Sequence, residues 1–312
     1  MSIKKEFSFP SACKTTSIHA VSYIPDGSVK GILQITHGMV EYIERYEEFA
    51  NYLTSYGFLV TGHDHLGHGA SVNSCEEWGY FCEKKGNEVL LEDIHQLMLI
   101  TQKEYPHVPY FLLGHSMGSF YTRQYLCSHG DMLQGAIIMG TGFQSPFLVV
   151  SGMLLCRLIA LFKGWKYRCT FVNNMAFGSY NKKFQPARTD KDWLSKDVTK
   201  VDEYVAEPRC NFTFTLNAYY HMFSGISSLY KKKLLKRIPK DLPVFFVSGK
   251  EDPVGDFSKG VIAASNSLKA VGMKNISVKL YENDRHEILN ETDREKVYED
   301  LLLWLTKYSS KR

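Results

Sequence analysis

The sequence predicts an α/β fold: a mostly parallel central sheet, helices on both faces, and a helical cap inserted between two of the strands. Three observations carry this. Short runs rich in Val, Ile, Leu and Phe alternate with amphipathic stretches at both ends of the chain, as in strands buried on both faces and joined by crossover helices. One such run, ending in Gly114-His115-Ser116-Met117-Gly118, passes straight into a helix-compatible stretch. From about Gly142 to Ile238 the alternation stops, and the sequence is helical, aromatic and basic with no clean strand.

Taken in order, the apolar runs Ser17–Ile24 and Gly31–Thr36 are strands, and the second ends in a His-Gly turn. Glu44–Tyr56 is a helix leading into the strand Phe58–His63; Asn87–Glu104 is the next helix. The strand Tyr110–Gly114 feeds the helix Ser116–His129, and Gly135–Met139 closes the first half. Beyond the insertion come the strand Val244–Ser248, the helix Phe257–Val271, the strand Ser277–Tyr281 and the final helix Arg294–Tyr308. The core is thus expected from residues 1–142 and 239–312. Residues 143–238 are too long for an ordinary loop and are expected to form the cap, or lid.

A chain of 312 residues can bury a large core. Lys and Arg number 37 against 33 Asp and Glu, a balance too even for nucleic acid to be the main partner. The start, Met1-Ser2-Ile3-Lys4-Lys5-Glu6-Phe7, has no apolar signal region, and the seven cysteines are scattered without a Cys-x-x-Cys pair. Both observations point to a cytoplasmic protein with reduced thiols.

The Gly-x-Ser-x-Gly turn puts a serine on a tight strand-to-helix junction with its hydroxyl exposed. Gly114 and Gly118 leave room where strand and helix approach, and the helix N-terminus directs free N–H groups at an oxyanion beside Ser116. A serine hydroxyl is a poor nucleophile alone and needs a base oriented by an acid. In the chain order Ser, acid, His, the strand ending in Ser248-Gly249 is followed by Asp252, with Pro253 stiffening its exit. Glu251, Asp256 and Asp241 are its rivals; Asp241 precedes the strand, and Asp256 is expected to cap the next helix. The last strand runs into His286, which alone among the histidines lies after a strand that itself follows Asp252. The oxyanion hole is expected from the N–H groups of Met117 and of Met39, the latter on the turn His37-Gly38-Met39-Val40-Glu41.

Five stretches together resemble the α/β-hydrolases of the monoglyceride lipase and lysophospholipase-like group. They are His37-Gly38-Met39-Val40-Glu41, Asp64-His65-Leu66-Gly67-His68-Gly69-Ala70-Ser71, Gly114-His115-Ser116-Met117-Gly118, Ser248-Gly249-Lys250-Glu251-Asp252 and Arg285-His286-Glu287-Ile288-Leu289-Asn290-Glu291. They span nearly the whole chain in the family's order. The resemblance implies cleavage of a single fatty acyl ester through Ser116, Asp252 and His286, with Met39 and Met117 at the oxyanion. Two positions depart from the family's pattern: Tyr42 replaces a histidine after Glu41, and Ser119 replaces a second glycine after Gly118.

No cofactor or metal is needed for that chemistry. The cluster His63-Asp64-His65-Leu66-Gly67-His68 does not match the His-Glu-x-x-His helix pattern and is read as a turn fixing loops beneath the site. The run Phe147 to Phe162 contains Arg157 and is shorter than a bilayer span of about 20 residues. It is read as a cap helix packed over the site; the alternative is a helix whose apolar face also touches lipid, with Lys163, Lys166 and Arg168 beyond it for anionic head groups. The lysines Lys231, Lys232 and Lys233 are read as a solvated face, and Tyr219-Tyr220-His221-Met222-Phe223 as cap packing beside an acyl channel. The expected partner is therefore a small lipid ester, monoacylglycerol or lysophospholipid, with peripheral membrane contact through the cap. The alternatives are a short-chain carboxylesterase or an aminopeptidase-like amidase, the latter needing a cap carboxylate such as Asp202, Glu203 or Glu207 to hold an amine. A non-catalytic ligand-binding protein is disfavoured because every catalytic position is filled.

Overall fold

The computed structural model describes residues 2–310. In chain order its main elements are β1 (Ile3–Pro10), β2 (Ser17–Ile24), β3 (Gly31–Thr36), α1 (Glu47–Ser55), β4 (Phe58–His63), α2 (Gly86–Glu104), β5 (Tyr110–His115), α3 (Met117–His129) and β6 (Gly135–Met139). Then come α4 (Pro146–Lys163), α5 (Thr170–Phe177), α6 (Val198–Ala206), α7 (Leu216–Ser228), α8 (Lys232–Leu235), β7 (Val244–Gly249), α9 (Lys259–Lys269), β8 (Ile276–Tyr281) and α10 (Arg294–Ser309). The strands form one sheet in the order β1-β2-β4-β3-β5-β6-β7-β8. Every pairing from β4 to β8 is parallel, while β1 and β2 are antiparallel additions at one edge. This is the mostly parallel sheet that the alternation predicts, in the arrangement that the motif resemblance implies.

The inner strands β3 to β7 are buried at every position, so their side chains divide between two cores with a period of two. Leu33, Ile35, Phe111, Leu113, Ile137 and Val247 face α1 and α10. Ile32, Tyr110, Leu112, Ile138 and Phe246 face the other side, where α2, α3, α9 and the inserted helices pack. Because the inner strands are parallel, their carboxyl ends lie along one edge, and the loops leaving that edge carry the site.

The strand β1 was not expected. Ile3-Lys4-Lys5-Glu6-Phe7 is mostly exposed and lacks a clean apolar alternation, but its backbone pairs with the free edge of β2 from Ile3↔Ile24 to Pro10↔Ser17. Charged side chains on such an edge discourage further strand addition. The helix expected from Phe257 starts two residues later. Asp256, Phe257 and Ser258 all have positive φ (46°, 51° and 81°), so Ser258, not Asp256, stands at the N-cap.

Between β6 and β7 the chain forms only helices and short turns. In α4, Val149, Gly152, Cys156 and Ala160 form a buried stripe against α7, and a Cβ on Gly152 would lie 3.0 Å from the Phe223 ring. The opposite face is apolar as well, with Phe147, Leu154, Leu161 and Phe162 exposed.

Candidate active site

Ser116 sits at the β5–α3 junction with φ 52° and ψ −118°, a conformation that costs a non-glycine residue about 1–3 kcal/mol. The surrounding packing holds it there. A Cβ on Gly118 would lie 2.0 Å from the Thr36 carbonyl oxygen, and one on Gly114 2.3 Å from Thr122 Oγ1. Strand β3, the elbow and α3 therefore meet backbone to backbone, and the Ser116 N–H is tied to the Met139 carbonyl at 3.0 Å.

Asp252 and His286 come together from the ends of β7 and β8, with His286 Nδ1 3.0 Å from Asp252 Oδ1. Both side chains are buried, at 0 % and 2 % exposure. Two further donors orient the carboxylate: Val254 N–H to Oδ1 at 2.8 Å and Ser248 Oγ–H to Oδ2 at 3.1 Å. With Nδ1 committed to Asp252, Nε2 is the ring nitrogen left to exchange a proton. Among the described residues Ser116 Oγ makes no direct hydrogen bond to His286, but both line one cavity. Such contacts are often long before substrate binds. The rivals of Asp252 lie elsewhere: Asp241 is exposed and pairs with Lys274, and Asp256 stands at the cavity rim, 68 % exposed.

The His37-Gly38 turn rests on the nucleophile, since a Cβ on Gly38 would lie 3.0 Å from Ser116 Cβ and closer still to Glu41 Oε1. His37 locks the turn in one tautomer. Its Nδ1–H donates to the Gly38 carbonyl at 2.8 Å and its Nε2 accepts the His65 N–H at 2.9 Å. Burial holds the His37 imidazole below its ordinary pKa, which keeps Nε2 an acceptor. Met39 and Met117 both line the cavity, and among the described residues neither N–H donates to another backbone group.

The cavity has a volume of about 1200 Å³. Leu148, Leu155, Val172, Met222, Phe223 and Ile226 contribute apolar lining, and Asn181, Thr189, Asp190 and Lys191 polar lining. Residues 27–293 match the family described as serine aminopeptidase, S33.

The chain belongs to that family. The monoglyceride lipase homolog of Monkeypox virus is 27 % identical over 285 residues, covering 88 % of this chain and 89 % of that protein. The monoglyceride lipase of Homo sapiens is 28 % identical over 292 residues, covering 91 % and 84 %. Among solved structures, a highly thermostable carboxyl esterase from Bacillus coagulans, in complex with glycerol, superposes with a TM-score of 0.91 at 29 % identity over 98 % of this chain and 99 % of that one. The motif resemblance and these similarities agree: this member of the S33 family is an α/β-hydrolase similar to monoglyceride lipases.

The sequence reading missed a buried ionic cluster behind Ser116 and His286. Arg45 donates to both carboxylate oxygens of Glu287, at 2.7 Å each, and to Glu41 Oε2 at 2.9 Å. Glu41 Oε1 accepts from Tyr46 Oη at 3.0 Å and from the Gly38 N–H, and His115 Nδ1 lies 3.1 Å from it. Burial opposes charge on these groups. The His115 hydrogen bond and the charges of His115 and Arg45 nevertheless hold Glu41 well below the usual carboxylate range. Likewise burial disfavours a charged His115, yet Glu41 raises it above the ordinary imidazole value. His115 stacks 4.7 Å from the His286 ring, so the cluster joins the oxyanion turn, the elbow and the base loop. Glu41 and Glu287 lay inside motifs already singled out; nothing in a linear sequence distinguishes a buried carboxylate from a solvated one.

The two departures from the family's pattern are each accommodated. Tyr42 Oη donates to Glu207 Oε2 at 3.3 Å, and the Arg209 guanidinium stacks 3.7 Å over its ring, so Tyr42 joins the oxyanion turn to the insertion. Ser119 Oγ donates to the Ser116 carbonyl at 2.5 Å. Asp64 ties loops beneath the site, accepting the N–H groups of Ile43 and Ala70 at 2.8 Å each.

Proposed function

We propose that this protein is a serine hydrolase that cleaves the carboxylic ester of a monoacyl lipid. One observation carries the reading: a buried Asp252–His286 pair whose histidine lines, together with Ser116, a cavity of about 1200 Å³ with both apolar and polar side chains on its wall. We assign the apolar lining as the acyl arm and the polar lining to an alcohol head group. The relatives named monoglyceride lipase make monoacylglycerol the first substrate to test, and lysophospholipids of the same chain length the second.

In this mechanism Ser116 attacks the ester carbonyl while His286 Nε2 takes its proton, and Asp252 holds the imidazole through Nδ1–H. The N–H groups of Met39 and Met117 receive the oxyanion; each such donor is worth about 3–4 kcal/mol in the transition state. His286 then protonates the departing alcohol and activates the water that releases the fatty acid. Residues 143–238 act as the cap over a core of 1–142 and 239–312.

The three carboxylates named for amine recognition are engaged elsewhere, and Asp190, which does line the cavity, pairs with Lys191. Asp202 pairs with Arg188, Glu203 with Lys200, and Glu207 with Arg209; none of the three carboxylates lines the cavity. The deciding experiment is turnover on monoacylglycerols and lysophospholipids of rising acyl length, with aminoacyl amides alongside and Ser116→Ala as control. Preference for medium or long acyl esters, lost in Ser116→Ala, is the expected result. Activity confined to amides or the shortest esters, or persisting in Ser116→Ala, overturns it.

A second part of the proposal is peripheral membrane contact through α4. Among the described residues this is the one helix long and apolar enough, by length and composition, to cross a membrane. Its buried stripe is engaged by α7 and its first turns line the cavity, so spanning a bilayer would dismantle both. Its exposed face, with Lys163, Lys166 and Arg168 beyond it, suits a helix lying in the lipid interface and feeding substrate to the cavity.

A further inference from the structure

The base loop, 284–291, is held from two sides: by the core, through Glu251, Asp252, Arg45 and Tyr298, and by the insertion. Residues 192–197 form a strap between a short 3-10 turn (Tyr180–Phe184) and α6, and they run alongside that loop. The His286 N–H donates to the Trp193 carbonyl at 3.4 Å and the Glu287 N–H to the Leu194 carbonyl at 2.7 Å. The Trp193 ring lies tilted against the His286 imidazole at 5.1 Å, and Tyr180 packs edge-on against Trp193 at 5.0 Å.

One side chain fastens the two segments together. Glu291, fully buried, accepts the Ser195 hydroxyl at 2.9 Å and the Lys196 N–H at 3.0 Å with Oε2, and the Arg285 N–H at 2.7 Å with Oε1. Two of its donors come from the strap, and the third is the residue immediately before His286. Lys196 adds an ion pair to Asp284 at 2.5 Å, and the Arg285 guanidinium donates back to the Ser195 carbonyl at 3.1 Å. A buried carboxylate with three converging donors costs more to disturb than a surface contact, because removing it strands the Lys196 and Arg285 N–H groups, while the Ser195 hydroxyl keeps the Asn290 carbonyl at 3.0 Å.

We infer that Glu291 is a positioning residue: by clamping the strap to the base loop it sets the place of His286, so that residues 192–197 of the insertion belong mechanically to the catalytic centre. The inference rests on His286 being the base. A consequence is that the insertion does not open as one lid. Any movement that carried 192–197 along would draw the Trp193 and Leu194 carbonyls away from the base loop and displace the imidazole from Asp252.

The test uses the full-length protein and a soluble short ester, p-nitrophenyl butyrate, which does not depend on the acyl arm or on a membrane. Glu291→Ala is expected to lower kcat ten- to a hundredfold with KM within twofold of wild type, to slow fluorophosphonate labelling of Ser116 in parallel, and to shift the acidic limb of the kcat/KM profile. Glu291→Gln, which keeps the shape and one acceptor oxygen able to serve the two strap donors while its NH2 meets the Arg285 N–H, is expected to recover part of the loss. A folded Glu291→Ala with wild-type kcat and pH profile, or with a change in KM alone, overturns the inference. If Glu291→Ala does not fold, Ser195→Ala decides: it removes one strap donor far from substrate, and a fall in kcat of threefold or more at constant KM supports the clamp, whereas an unchanged kcat refutes it. His286→Ala separates the two levels. If it remains active, the triad reading has failed; if it is inactive while both clamp variants turn over normally, the clamp alone has failed.

Discussion

Replacing Leu161 and Phe162 with serine tests the membrane contact where it separates most cleanly from chemistry. Both lie in the last turn of α4, 72 % and 86 % exposed, and neither lines the cavity. Fully burying a Leu or Phe side chain is worth about 1.5–3 kcal/mol. Scaled by the exposed fractions, immersing the pair contributes roughly 3–4 kcal/mol, or about a hundred- to a thousandfold in partitioning. The double substitution is therefore expected to abolish co-flotation with phosphatidylcholine vesicles at lipid concentrations that bind the wild type. It should also cut turnover of vesicle-borne monoacylglycerol, while hydrolysis of p-nitrophenyl butyrate and the unfolding midpoint stay nearly unchanged, since exposed substitutions usually shift stability by only about 0.5 kcal/mol. Wild-type partitioning in the variant would refute the interfacial placement of α4. An equal loss on the soluble ester would show that the turn serves the site and not the membrane.

Three other outcomes follow from the packing. Gly118→Ala forces a methyl to 2.0 Å from the Thr36 carbonyl oxygen, so it is expected to destabilise by about 3 kcal/mol or more and to abolish activity, checked by urea unfolding and ester turnover. Arg45→Met strands Glu41 and Glu287 without their cation and is expected to cost about 3–5 kcal/mol, measured in the same way; an unchanged midpoint would show the cluster to be dispensable. His63→Leu tests the buried histidines: burial, with a smaller push from His37, lowers His63 to about 3, below its unfolded value of about 6.5. Between those values the unfolded chain binds the extra proton, so stability is lost as pH falls below about 6.5. By pH 5 the single group accounts for roughly 2 kcal/mol, and His63→Leu should lose that much less than wild type between pH 8 and pH 5. Parallel pH dependences for the two proteins would refute it.

The place of Ser116, Asp252 and His286 was legible because each follows a strand whose apolar run is unmistakable, and because parallel strands deliver their carboxyl ends to one edge. Strand β1 was not legible: its charged residues read as a solvated terminus, and only the free edge of β2 makes them a strand. The N-cap at Asp256 failed for a related reason, since a capping side chain marks a helix start only where the backbone does not turn first through three left-handed residues. The carboxylates proposed for amine recognition were legible as charges but not as partners; their arginines and lysine come from positions 2 to 14 residues away or from a neighbouring turn, and only packing assigns them.

The sequence by itself determined the alternation of strands and helices, the edge at which the loops gather and the residues that stand on those loops, because periodicity and strand ends are local properties. Tertiary structure alone decided that Glu41, Arg45, His115 and Glu287 form one buried ionic cluster, that α4 is apolar on a face left exposed among the described residues, and that Glu291 binds the insertion to the base loop. Those are meetings of segments up to 242 residues apart, and burial, which decides whether a charge is a solvated ornament or a structural tie, exists only once the chain has closed around it.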